Sequence, residues 1–198
     1  HRSHMAFTCW ATGVQAHSST GRGRNANWAL IPFLVEMQAI FERLRNDTKL
    51  QDPAYDPVFG DFNLVIDNHG APVNMTVPVA TVRIKFRRSA SIDPAPIQAA
   101  VRQAAARCGI ELSELAEGRP PDLPATHPLV RLCAETVGHA AVTVPYGTDA
   151  SELQAIAPCV ILGPGDIAVA HTPVERGALA ELAEAVPVFM RLAEAAAR

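Results

Sequence analysis

Three short segments hold side chains whose types and spacing could do chemistry. Gly13-Val14-Gln15-Ala16-His17-Ser18-Ser19, followed by Gly23-Arg24-Asn25-Ala26, sets an imidazole in a glycine-bounded polar stretch. Asn74-Met75-Thr76-Val77-Pro78 precedes Arg87, which lies thirteen residues after Asn74. A guanidinium presents a planar, two-pronged donor set that suits a carboxylate. The third segment runs Tyr146-Gly147-Thr148-Asp149-Ala150, then Gly163-Pro164-Gly165, then Ala170-His171-Thr172-Pro173 and Glu175. Imidazole is a common zinc donor, but zinc sites need three or four ligands, so His171 alone cannot hold the ion. Each residue also has a plain structural reading. His17 could cap a loop before a helix, Asn74 could serve a turn, and Arg87 could share a solvated strand face with Arg83 and Lys85. Gly147-Thr148 could be a turn between strand and helix, and His171 could sit in a polar loop. His69, His127 and His139 match no motif and read as turn or surface residues.

The elements that must position these groups follow from periodicity. His1 to Met5 read as a tag remnant with a start methionine and are left outside the fold. Ala6 to Val14 reads as a strand. Trp28, Ile31, Leu34, Val35, Ile40, Phe41 and Leu44 fall on one broad helical stripe, with Pro32 tolerable only near the helix start. Phe62, Leu64 and Ile66 alternate as in a strand, and Asn68-His69-Gly70 is turn chemistry. Ala80, Val82, Ile84 and Phe86 point one way and Thr81, Arg83, Lys85 and Arg87 the other, which describes a sheet with one buried and one wet face. Asp93-Pro94 starts a helix through Ile97, Ala100, Val101 and Ala104 that Gly109 ends. Ile110 to Leu115 supplies a last strand. The order strand, helix, strand, strand, helix, strand is that of a ferredoxin-like unit.

The stretch from Gly118 to Pro128 holds four prolines and marks the clearest boundary. Beyond it Leu129 to Val137 is helical in pattern. Ala140 to Val144 and Cys159 to Leu162 are short apolar runs of the kind found in sheets buried on both faces. Glu175 to Ala197 is an alanine-rich helix. The expected organisation is therefore a domain over residues 6–117, a linker over 118–127 and a second segment over 128–198.

The hydrophobic fraction of 48% with 19% charged residues is that of a globular protein. The net charge of -3 with scattered basic residues argues against a nucleic-acid partner. No apolar run reaches the roughly 20 residues that cross a bilayer, so no membrane partner is expected. Cys9, Cys108, Cys133 and Cys159 form no C-x-x-C pair and read as free thiols in a reducing cytoplasm.

Taken together and in order, the three segments resemble the zinc metallohydrolase family of acetylornithine deacetylase, succinyl-diaminopimelate desuccinylase and carboxypeptidase G. The G-x-x-A-H-S-S and G-x-N-A pair resembles the opening of that family's lid, or dimerisation, domain. The Asn74-to-Pro78 segment (N-x-x-x-P) with its arginine resembles the family's N-x-x-P strand start, and the C-terminal G-T-D, G-P-G and A-H-x-P run resembles its later signature. The resemblance implies an α/β fold, with a ferredoxin-like (βαββαβ) lid followed by the C-terminal remnant of an α/β zinc-hydrolase catalytic domain. It implies hydrolysis of an N-acyl amino acid or small peptide by a water activated between two zinc ions.

The same resemblance implies roles. His17 would donate to the substrate carbonyl oxygen in the partner subunit's active site, an oxyanion role that requires a homodimer through the lid. Asn74 and Arg87 would bind the substrate's polar or carboxylate end. Gly147 and Thr148 would contact substrate from a tight loop, which Asp149 would anchor, and His171 would be a zinc ligand. The family's H-x-D motif and glutamate pair are absent from this sequence. The expectation is accordingly a C-terminal portion that lacks most metal ligands, holds one zinc or none, and is inactive alone. Two alternatives stay open: a stand-alone dimerisation module without catalysis, and a missing segment supplied as a separate chain.

Overall fold

Antiparallel pairing around one ten-residue strand organises the first half of the chain. In the computed structural model, which describes residues 1–116 and 118–197, four strands form one sheet. They are β1 (Ser3–Thr12), β2 (Phe62–Asp67), β3 (Val79–Arg88) and β4 (Glu111–Ala116). Their order is β2-β3-β1-β4, and each neighbouring pair is antiparallel. Two helices, α1 (Asn27–Asn46) and α2 (Ala95–Cys108), pack against each other, α1 also on β1 and β3 and α2 on β4. This is the ferredoxin-like order expected from the sequence.

The β3 alternation holds, with Ala80, Val82, Ile84 and Phe86 buried against the helices and Arg83 exposed on the other face. Thr81 departs from the expected wet face: it is buried because the His69 ring covers it, with Nε2 3.0 Å from its Oγ1. β1 contributes Met5, Phe7, Cys9 and Ala11 to the same core. The α2 limits follow their caps. The Asp93 carboxylate accepts the Ala95 N–H, and Gly109 closes the helix at φ 65°, a left-handed value that glycine adopts without a side-chain clash.

Three expectations need correction. The first strand begins at Ser3 rather than Ala6, so Ser3, His4 and Met5, which the sequence reading left outside the fold, belong to the sheet. Arg2, Ser3 and Met5 are buried, and Ser3, His4 and Met5 pair with Arg88, Arg87 and Phe86. The buried stripe of α1 is Leu30, Phe33, Met37, Ile40 and Leu44, whereas Trp28, Ile31 and Val35 face outward. The helix is apolar on two sides, and the sheet takes the one that includes Phe33 and Met37. Pro32 is the sixth residue of α1, one turn deeper than the first turn. Finally, 140–144 and 159–162 form no strand. An extended apolar run needs neighbouring strands to satisfy its backbone, and none of the four described strands lies beyond Ala116.

The chain divides into two compact units. The first holds His1–Pro121 together with Thr143–Glu152. Residues 143–152 were expected in the C-terminal segment, but they are tied to the first unit. The Arg2 N–H donates to the Tyr146 carbonyl at 3.2 Å, and the Thr143 hydroxyl donates to the Ala54 carbonyl. The second unit holds Asp122–Val142 and Leu153–Arg198, in which α3 (Pro128–Val137) packs on α5 (Leu179–Ala196). A short helix, α4 (Ala150–Leu153), lies where the two units meet in sequence. Glu117 and Arg198, the last residues of the expected segments 6–117 and 128–198, lie outside the described residues.

Candidate active site

Beyond Thr12 the chain leaves β1 and doubles back beside the start of β3. The Gly13 N–H donates to the Pro78 carbonyl at 2.7 Å, and Val14 and Arg24 exchange backbone hydrogen bonds. The glycines of this motif have a packing cause. A Cβ on Gly13 would lie 2.2 Å from the Arg24 carbonyl oxygen and 2.5 Å from that of Val77. A Cβ on Gly23 would lie 2.1 Å from Thr76 Oγ1. That hydroxyl donates to the Val14 carbonyl at 2.7 Å and accepts the Ala16 N–H at 2.9 Å, so it fixes the residues leading to His17. Asn25 and Ala26 then start α1, the Asn25 side chain accepting the Asn27 N–H and the Ala26 N–H reaching the Val77 carbonyl.

His17 is exposed and forms an isolated bridge with Met75. Hydrogen bonds from Ser18 N–H to the Asn74 carbonyl and from Thr76 N–H to the Ala16 carbonyl flank that bridge at 2.9 and 3.0 Å. His17 Nδ1 accepts the Ser19 N–H at 3.3 Å and lies 2.8 Å from the Ser19 hydroxyl. A backbone N–H can only donate, so in the neutral ring the proton is on Nε2, which leaves a donor on the exposed edge. The plain capping reading is thus met by Nδ1, and Nε2 takes no part in it. Asn74 is exposed beside it, and its carbonyl is the one that receives Ser18.

Arg87 lies at the other end of the sheet. Val79 pairs with Thr12 next to the His17 loop, whereas Arg87 pairs with His4. Eight residues of strand separate them, about 27 Å. The Arg87 guanidinium forms an ion pair with Asp61, whose backbone carbonyl also accepts the Arg87 N–H. The Gly147–Thr148 loop belongs to this same end through the Arg2–Tyr146 hydrogen bond. Thr148 Oγ1 accepts the Ala150 N–H at 3.2 Å, which caps α4, and lies 2.9 Å from His1 Nε2. Gly147 is exposed one residue earlier.

The six residues singled out by sequence therefore fall into three groups: His17 with Asn74, Arg87 near Gly147 and Thr148, and His171 in the second unit. His171 is exposed, holds a left-handed φ of 60°, and its N–H donates to the Glu175 carboxylate at 2.9 Å. Among the described residues no three histidine, cysteine, aspartate or glutamate side chains converge as a metal-ligand set. All four cysteines are free, and burial pushes the Cys9 thiol up to about 12. No described helix is long and apolar enough to cross a membrane.

Sequence reasoning did not find Arg2 and Asp61, which support the Arg87 end. Arg2 is buried, its guanidinium donating to the Pro57 carbonyl at 2.5 Å and lying 4.8 Å from the Tyr55 ring centre. Burial lowers its pKa, partly offset by Tyr55, Asp52 and Asp61. An arginine in a stretch read as a tag remnant gives no sequence signal of this kind.

With this geometry in place, comparison with known proteins is informative. The family model for the peptidase dimerisation domain (M20_dimer) matches residues 1–110, including the first five. Acetylornithine deacetylase of Proteus mirabilis is 26% identical over 185 residues, covering 88% of this chain and 47% of that protein. The enzyme of the same name from Aliivibrio salmonicida is 28% identical over 185 residues, again over 88% of the chain and 48% of its own length. The chain thus spans about half the length of these relatives. Among solved structures, aminopeptidase PepT from Bacillus cereus aligns over 100% of this chain and 52% of its own, with a TM-score of 0.61 at 16% identity. A putative aminohydrolase from methicillin-resistant Staphylococcus aureus aligns over 79% and 42%, with a TM-score of 0.52 at 17% identity, and both support the fold. The chain belongs to the peptidase dimerisation-domain family, whose model matches residues 1–110, from before β1 to the end of α2.

Proposed function

We propose that the chain is the lid-bearing portion of a cytoplasmic, metal-dependent amidohydrolase that removes the acyl group from an N-acyl amino acid such as N-acetylornithine. The observation that carries this reading is the separation of His17 and Arg87 at opposite ends of one sheet. One copy cannot bring both to a single small amide. Two copies related by a twofold axis can set the His17 end of one against the Arg87 end of the other. In that arrangement Arg87 and Thr148 of one subunit hold the substrate carboxylate. His17 of its partner donates Nε2–H to the amide oxygen as negative charge develops there, and Asn74 beside it supplies a further polar contact.

The family resemblance implies that two zinc ions would activate a water for attack on the amide, and His171 would give that centre one imidazole. The described residues supply no ligand trio and therefore do not by themselves fit such a centre. The steps assigned to this chain are accordingly binding, orientation and carbonyl polarisation. In this reading the 198-residue chain hydrolyses nothing alone.

The test is subunit complementation in the full-length protein, with the substrate N-acetylornithine. His17→Ala and Arg87→Ala are each expected to be nearly inactive. Mixed dimers rebuild one intact site, so an equal mixture after exchange recovers about a quarter of wild-type activity. A mixture that stays inactive although mass spectrometry shows mixed dimers would remove the split-site reading. A full-length protein that dimerises but hydrolyses no N-acyl amino acid would favour a non-catalytic dimerisation module.

A further inference from the structure

A cleft of about 420 Å³ opens beside the His17 loop, walled by Gln15, Asn68, His69, Ala71, Met75 and Val79. Its position relative to the imidazole follows from strand geometry. His17 and Met75 are directly opposed, and the flanking hydrogen bonds make theirs a non-hydrogen-bonded, narrow pair. Side chains of opposed residues lie on one side, as do those of residues two apart. Met75 lines the cleft and His17 is directly opposed to it, so the loop that carries the imidazole adjoins the cleft. His69 holds φ 53°, with its N–H on the Asp67 carboxylate at 2.7 Å and its ring Nε2 3.0 Å from Thr81 Oγ1. Asn68 Oδ1 is buried in this wall without a hydrogen-bond partner.

Resting on the split-site reading above, we propose that this cleft is the acyl subsite of the partner's active centre, built for an uncharged acyl group longer than acetyl. The carboxylate of the amino acid is anchored at the Arg87 end of one subunit. The amide lies between that anchor and the partner's His17. What continues past the carbonyl into the partner's lid is then the acyl chain. Ala71, Met75 and Val79 offer it apolar contact. No lysine or arginine lines the cleft to balance a carboxylate-ended chain.

The full-length protein tests this with N-acetyl, N-butanoyl, N-hexanoyl and N-succinyl forms of one amino acid. Each buried methylene adds a few-fold, so kcat/KM is expected to rise roughly tenfold or more from acetyl to hexanoyl. N-succinyl should gain nothing over acetyl. Ala71→Phe fills the cleft and should lower the hexanoyl-to-acetyl ratio about tenfold. Should that variant not fold, Met75→Ala widens the cleft and should move the preference toward longer chains. An active enzyme whose ratio neither substitution moves, or one that prefers succinyl, overturns the acyl subsite and leaves the split site standing. A wild-type protein that cleaves none of the four fails at the underlying reading, and the subsite goes with it.

Discussion

Arg102 of α2 grips Glu114 of β4 with two nitrogens of its guanidinium, at 2.5 and 2.7 Å, and Gln98 adds a third contact at 2.7 Å. The pair joins the second helix to the edge strand, on the helix-covered side of the sheet. The Arg102 hydrogen bonds hold the Glu114 carboxyl below the usual carboxylate range against the opposing effect of burial. A carboxylate with a depressed folded pKa stabilises the fold above its unfolded value, about 4.3, and loses that contribution as pH falls through the folded value. Glu114→Gln is therefore expected to melt a few degrees below wild type at pH 7. The two melting curves should converge in acid, as calorimetry from pH 7 to pH 2.5 would reveal. A constant offset across that range would show that the carboxylate charge plays no part.

The Glu114 contact illustrates which parts of the fold were legible in the sequence. Local rules sufficed where one residue type answers one geometric need: the β3 alternation and the Asp93 start and Gly109 stop of α2. They failed where two faces of an element were equally apolar. In α1 the periodicity fits Trp28 and Val35 as well as Phe33 and Met37, and only the sheet decides between them. The runs at 140–144 and 159–162 read as strands because apolar content was visible and the required neighbouring strands were not. The candidate site was legible as residues but not as an arrangement. Thirteen positions of sequence link Asn74 to Arg87, yet an extended strand turns that spacing into a long separation along the sheet. Asp61, paired with Arg87, has no sequence signal, because loop residues meet strands through tertiary folding alone.

Gly13 lets three backbone segments converge, so its replacement should act through packing. The added methyl of Gly13→Ala would press on the Arg24 and Val77 carbonyls and on the Ala26 nitrogen at 2.9 Å, none of which can rotate away. A loss of about 2 kcal/mol or more is expected in urea unfolding, since overpacked backbone must shift as a whole. Unchanged stability would mean that the loop ahead of His17 is slack.

His17 uses its two nitrogens differently, and substitutions separate them. In the full-length enzyme, His17→Ala should lower kcat by about 100-fold to 1000-fold, the usual loss for one oxyanion donor. Ser19→Ala removes the hydroxyl from Nδ1 but keeps the backbone N–H there, so the tautomer persists and the loss should be far smaller. Equal losses in the two variants would indicate that the ring serves the loop rather than the substrate.

The outward face of α1 bears on assembly. Trp28 is 72% exposed, Ile31 49% and Val35 62%, one apolar line at helical spacing on a helix whose other face is already committed to the sheet. Leaving a tryptophan and two branched aliphatic side chains in water forgoes several kcal/mol of burial, roughly 1.5–3 for each aliphatic residue. A second copy laying its own α1 against this line would recover that burial on both sides, as a twofold interface requires. Trp28→Arg with Val35→Glu is expected to shift the protein from dimer to monomer in light scattering. The circular dichroism spectrum should be unchanged, because neither residue belongs to the core cluster. A double variant that remains dimeric would move the interface away from α1. A variant that becomes monomeric should also lose catalysis in the full-length protein, since the partner's His17 would then be out of reach.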